Sequence, residues 1–195
     1  MLFAVAAESA SAQFYDKMFF IGWNANTPLT NKEYVGRSSS RGARLGYREL
    51  IAEQFTIGVD VTWSTYDDYV PRQTYYSQNS AITTDFTNYA NNYGLLLTSD
   101  YYFFQERKVM PYVGLGAGVG YNNYKVYYNV YSSGDNAIGF LARPQAGVWL
   151  KFNERKNWAL NAGVHFDFNT ARSKDMGYNN FMNAGFELGL VFLDW

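Results

Sequence analysis

Between Met110 and Tyr128 the chain reads MPYVGLGAGVGYNNYKVYY. Val113, Leu115, Ala117, Val119 and Tyr121 take the odd positions, and Gly114, Gly116, Gly118 and Gly120 the even ones. Successive side chains of a β-strand point to opposite sides, so this alternation predicts a strand with two unlike faces. One face is a row of medium-sized apolar side chains, and the other is bare. A glycine face weakens an ordinary strand. It suits a strand that curves sharply, or one that leaves space for large side chains from other strands. Both conditions hold inside a small closed barrel.

The same alternation predicts about eight strands after Gln13, an even number as closed antiparallel barrels require. The first runs roughly from Lys17 to Asn26, with Phe19, Ile21 and Trp23 on one face. In the second, Ser39 to Arg48, Ala43, Leu45 and Tyr47 alternate with Gly42, Arg44, Gly46 and Arg48. The third, Gln54 to Tyr66, sets Phe55, Ile57, Val59, Val61 and Trp63 against Thr56, Gly58, Asp60, Thr62 and Ser64. The fourth spans Tyr89 to Phe103 and the fifth is the glycine strand. The sixth spans Ala137 to Phe152, the seventh Trp158 to Thr170, and the eighth Asn180 to Trp195. Pro144 lies inside the sixth strand, has no N–H for a ladder bond, and predicts a bulge.

The connections alternate in length. Glu49 to Glu53, Gln105 to Lys108 and Asn153 to Asn157 are short and charged. Thr27 to Ser38, Asp67 to Asn88, Asn129 to Asn136 and Ala171 to Tyr178 are longer, polar loops. The longest, rich in Tyr, Thr, Asn and Ser, is a candidate binding surface. Aromatic residues sort to strand ends. Tyr47, Phe55, Tyr101, Phe103, Phe152, Trp158 and Trp195 fall near the short turns, and Trp23, Trp63, Tyr121 and Phe168 near the long loops. Two such belts match two membrane–water interfaces.

Composition sharpens this reading. Aromatics make up 19% of the chain, which excludes a disordered protein. A mean hydropathy of -0.30 is compatible with a membrane barrel, whose lumen and loops are polar. No apolar run is long enough for a transmembrane helix. With a net charge of -1 and no basic cluster, nucleic acid is not an expected partner. Cysteine is absent, which removes disulfides and thiolate metal sites; no metal or cofactor is predicted. Residues 1–12, an apolar run followed by small residues at Ala10 and Ala12, read as a signal-peptide remnant cut before Gln13. Residues 13–195 then form one barrel domain.

The glycine strand resembles the central strand of small outer-membrane barrels of the OmpA/OmpX type. The last strand, GFELGLVFLDW, resembles their amphipathic final strand with its terminal aromatic. The cleavage end and the Tyr- and Asn-rich loops are similar to those of Bacteroidota outer-membrane proteins. The resemblance covers Gln13 to Trp195 and implies an all-β, closed, up-and-down antiparallel transmembrane barrel. Apolar rows then face lipid, glycine rows face the lumen, and the long loops are extracellular. It also implies outer-membrane lipid and the barrel assembly machinery as partners. Terminal Trp195 departs from the usual Phe. It also lies off the outward parity set by Phe186, Leu188, Leu190 and Phe192, which a bulge or frayed end reconciles.

On this parity the lumen holds Arg44, Arg48, Arg143 and Lys151 against Asp60, Asp100, Asp167 and Glu187, with His165 beside them. Leu141 and Trp149 also point inward. A barrel of about eight strands is filled by side chains, so the charges pair into a polar plug and no pore conducts. His165 and Asp167 share one inward face, the spacing of a base and its orienting partner, with Ser64, Thr62 or Thr170 as nucleophile. The surrounding HFDFN does not resemble the motifs of lipid A-modifying barrels, and the expected role is non-enzymatic. A structural or surface-interaction barrel and an accessory subunit bound to other outer-membrane proteins both remain. Outward Ala43, Ala117, Ala142, Ala146 and Ala162 favour close approach of such a partner. The alternatives are a lipid A-modifying enzyme using His165 and a soluble lipocalin-like barrel with its apolar row inside.

Overall fold

Period-two patterning builds eight strands, and pairing of each with its sequence neighbours rolls them into a ring. A computed structural model describes residues 17–77, 80–104, 108–128, 131–152, 157–174 and 177–194. The strands are β1 (Lys17–Pro28), β2 (Ser39–Ala52), β3 (Phe55–Ser77), β4 (Ser80–Tyr102), β5 (Val109–Tyr128), β6 (Tyr131–Leu150), β7 (Trp158–Asn169) and β8 (Phe181–Asp194). All pairs are antiparallel, and β8 closes on β1 from Lys17↔Asp194 to Pro28↔Asn183. No helix occurs among the described residues. The signal remnant and Trp195 lie outside them.

The distribution of polarity is inverted relative to a soluble domain. Val59, Leu97 and Ala117 stand side by side on the outer surface, and Leu97 is 65% exposed. Exposed apolar side chains continue round the ring through Phe19, Ile21, Leu45, Leu115, Phe140, Val164, Leu188 and Phe192. Inside are Arg44, Arg48, Asp60, Asp100, Arg143, Asp167 and Glu187, all buried. The lipocalin-like arrangement, with apolar rows inward and charges outward, is thereby corrected.

Among the described residues, two of the predicted long loops are strand. β3 and β4 continue to the pair Ser77↔Ser80, and β5 and β6 to Tyr128↔Tyr131. Residues 131–136 (YSSGDN) pair with β5 although they are polar. Residues 67–88 are also polar, but they are dense in Tyr and Thr, which fit a pleated surface. Cross-strand contacts join them: Thr74 and Thr83 hydroxyls at 2.8 Å, and Tyr69 Oη donating to Asp85 at 3.0 Å. Polarity therefore marked the end of the apolar band there, not the end of the strand.

The bulge predicted at Pro144 is absent. β6 and β7 keep one register on either side, Ala142↔Phe168 and Gln145↔His165. Only the pairs at Arg143 and Pro144 drop out of the ladder, because proline has no N–H to donate. A closed barrel tolerates the lost bond more readily than a slipped register, which would turn every later side chain to the wrong face.

The glycine face of β5 is filled from its neighbours. A Cβ on Gly114 would overlap the Asp100 carboxylate and meet Gln145 Nε2 at 3.0 Å, and one on Gly120 would overlap the Asn169 amide. The bare strand is the space into which polar side chains of β4, β6 and β7 project.

Candidate functional site

The interior is layered along the barrel axis. At the short-turn end Met18, Phe20, Tyr102, Met110, Tyr112, Trp149, Ala159, Val191 and Leu193 form one apolar cluster. Tyr102 and Trp149 rings pack with centroids 4.8 Å apart. Near this end both parities of several strands are apolar, as in Met18-Phe19-Phe20, a signal visible in the sequence but read there for the outer face only.

The middle layer is ionic. Arg48 reaches Asp60 through Nη1 (2.7 Å) and Nη2 (2.9 Å), and Asp100 through Nε (2.6 Å). Arg44 Nη2 lies 2.7 Å from the same Asp60, and its Nη1 donates to both oxygens of Glu187 at 3.0 and 3.1 Å. Arg143 grips Asp167 through Nε (2.5 Å) and Nη2 (2.6 Å). Neutral donors complete the carboxylate shells: Thr98 to Asp60, Gln145 to Asp100 and Asn161 to Glu187. A carboxylate removed from water needs this many donors to hold its charge.

Two sequence expectations are corrected here. Lys151 lies one residue beyond β6, half-buried at the turn end, with its backbone N–H bonded to the Lys108 carbonyl at 2.8 Å. Among the described residues the buried set is therefore three guanidinium groups against four carboxylates, not an even balance. His165 does not pair with Asp167, whose oxygens are taken by Arg143. Its Nε2 instead meets Asn26 Oδ1 at 2.8 Å. A carboxylate-oriented base is not built, and Thr170 Oγ1 is bonded to the Phe140 backbone.

At the other end, loop 29–38 turns inward. Asn31 takes the left-handed conformation (φ 55°), which asparagine tolerates, and its carbonyl accepts the N–H groups of Tyr34 and Val35. Tyr34 and Val35 are thereby buried with Tyr66, Tyr124, Val126, Ala171 and Phe181. Tyr34 Oη donates to the Lys125 carbonyl at 2.8 Å and also reaches the Tyr89 carbonyl at 3.2 Å. Burial and the neighbouring Tyr178 and Tyr124 hydroxyls push the Tyr34 phenol well above its ordinary range. Nothing local in TNKEYVGRS distinguishes this inserted loop from a solvated one. Between the ionic layer and this aromatic layer, a cavity of about 10 Å³ is bordered by Ser64, Asn92, Arg143, Asp167 and Asn183.

On the outer surface aromatic side chains pair at both ends of the strands. At the turn end Phe19 packs on Tyr47 (5.0 Å), Phe55 on Tyr101 (4.9 Å), Tyr101 on Phe103 (5.2 Å) and Phe152 on Trp158 (5.9 Å). At the other end Trp23 and Trp63 flank Ala43 in one register row, and Tyr93 meets Tyr121 at 6.0 Å. Half-buried Phe168 pairs with Ala142 in a different register row. Ala117, Ala142, Ala146 and Ala162 lie together on β5, β6 and β7, while Ala43 stands apart between the two tryptophans.

No protein-family model matches this chain, and no curated protein matches it in sequence. Solved structures do share its fold. The attachment invasion locus protein Ail of Yersinia pestis superimposes with a TM-score of 0.54 at 14% identity, covering 92% of this chain and 99% of that one. Ail in complex with the heparin analogue sucrose octasulfate gives 0.53 at 14% identity, with the same coverage. The fold is therefore that of the small eight-stranded outer-membrane β-barrels.

Proposed function

We propose that this protein is an integral outer-membrane β-barrel whose lumen is closed and whose activity is non-enzymatic, exercised through its outer hairpins. The observation that carries the reading is the inverted surface: an exposed apolar band all round the ring, over an ion-paired interior. In water such a continuous band would associate, whereas in a bilayer it matches the hydrocarbon core. Aromatic residues at both margins of the band support the same reading. The apolar cluster at one end and the Tyr34 loop at the other support a lumen without a path for solutes.

The long-hairpin end faces the outside in this reading, since the short turns of such barrels are periplasmic. The 23-residue strands β3 and β4 lift a polar, tyrosine-rich blade beyond the band, which supports a surface-interaction role. Accessory membership of a larger complex is the second reading, favoured by the flat alanine patch on β5, β6 and β7.

Mild-detergent extraction of native outer membranes, then a native gel and mass spectrometry of comigrating proteins, tests both. Migration near 22.3 kDa plus detergent supports a free-standing barrel. A stable large assembly favours the accessory reading. Recovery in the soluble fraction without detergent overturns the membrane reading.

A further inference from the structure

Above the apolar band, the outward face of β4 and β5 changes row by row. Leu95 pairs with Val119, then Tyr93 with Tyr121, Asn91 with Asn123, Tyr89 with Lys125, and Thr87 with Tyr127. Rows two residues apart are separated by about 7 Å, so these four steps rise through the interface into the headgroup region. Thr87, Tyr89, Asn91, Lys125 and Tyr127 line a groove of about 360 Å³.

The groove is built rather than incidental. The Tyr89 and Tyr127 rings meet edge to face, 5.5 Å apart at 90°. Thr65 Oγ1 donates to Asn91 Oδ1 at 2.8 Å, which orients the amide and leaves its NH₂ as the free end. Lys125 is exposed and forms no ion pair among the described residues. From inside the barrel, the Tyr34 hydroxyl holds the carbonyls of Tyr89 and Lys125, the two residues of the central row.

The lining selects a ligand class. A purely apolar ligand would leave the amide, the hydroxyls and the ammonium without partners. A nucleic acid strand needs several cations along its backbone, and there is one here. A sugar ring has an apolar C–H face for the tyrosines and hydroxyls for Asn91 and Thr87, and an anionic substituent on it matches Lys125. We propose that this groove binds a saccharide carrying a phosphate or carboxylate group. It rests on the membrane reading for its height above the bilayer. The sugar is supplied either by the headgroup of an outer-leaflet glycolipid or by a free acidic glycan.

The test uses the purified chain in phosphatidylcholine nanodiscs, whose successful reconstitution reports separately on the membrane reading. One arm titrates the phosphorylated core oligosaccharide released from lipopolysaccharide; the other adds intact lipopolysaccharide and measures its retention by native mass spectrometry. Binding in either arm is expected, weakened about tenfold by Lys125→Gln and by Tyr127→Ala, and unchanged by Tyr76→Ala on the far tip of the blade. Binding of the free oligosaccharide points to a free glycan, and retention of the intact lipid alone points to the glycolipid. Wild-type protein that binds neither probe, or variants that bind both as wild type does, overturns the proposal.

Discussion

Asp60 holds the guanidinium of Arg48 in a two-pronged contact, Nη1 to Oδ1 at 2.7 Å and Nη2 to Oδ2 at 2.9 Å. The same carboxylate takes Arg44, and Arg48 turns its third nitrogen to Asp100. Three strands are therefore tied through one side chain. Arg48→Met leaves Asp60 short of two donors and Asp100 of one. Removing one partner of a buried ion pair costs about 3–5 kcal/mol. Urea unfolding in lipid vesicles should show that loss, and Arg48→Lys should not restore it, because an ammonium lacks the fork. Wild-type stability in either variant would mean the cluster is not what holds the interior.

Gly114 and Gly116 face the same lumen but differ in what surrounds them. A methyl group on Gly114 runs into the Asp100 carboxylate, which Arg48 and Gln145 fix in place. On Gly116 the nearest atom is the Thr98 methyl at 3.3 Å, a small contact that shifts. Gly114→Ala should cost about 1–3 kcal/mol, the range of core overpacking, and Gly116→Ala less. Equal unfolding midpoints for the two would contradict the packing described above.

The outer band makes a depth-dependent prediction. Leu97→Arg places a charge at mid-band and should destabilise the inserted barrel by about 2–4 kcal/mol, while Tyr76→Arg on the projecting blade should cost almost nothing. Folding equilibria in lipid vesicles read the difference directly. A soluble protein would tolerate both.

Tyr34 is buried at the long-hairpin end in its neutral form. Burial raises its phenol above the ordinary tyrosine value of about 10. A raised folded-state value means the loop's contribution is complete below the unfolded pKa and lost as pH rises through the folded one. Protection of loop 29–38 against protease should hold from neutral pH to about 10 and then fall. Tyr34→Phe should lose protection at neutral pH and show no alkaline step. An alkaline step that persists in Tyr34→Phe would assign it to another group, such as Tyr178, whose phenol burial also raises.

Strand number, face assignment and every inward ion but Lys151 were placed by the sequence alone. Period-two alternation leaves one choice of outer face once Val113 to Val119 and Phe55 to Trp63 agree, and Arg44, Asp60 and Glu187 follow by parity. What parity cannot supply is distance round the ring. That Arg44 on β2 meets Glu187 on β8, across 143 positions of chain, depends on β8 closing against β1. That His165 pairs with Asn26 rather than Asp167 depends on competition with Arg143, a residue on another strand. The ends of strands were also beyond the pattern, because polar Tyr and Thr continue a ladder as well as apolar residues do. The inserted Tyr34 loop was least visible of all. Its burial comes from a left-handed turn at Asn31 and from contacts with β4, β5 and β8, none of which leaves a period in the sequence.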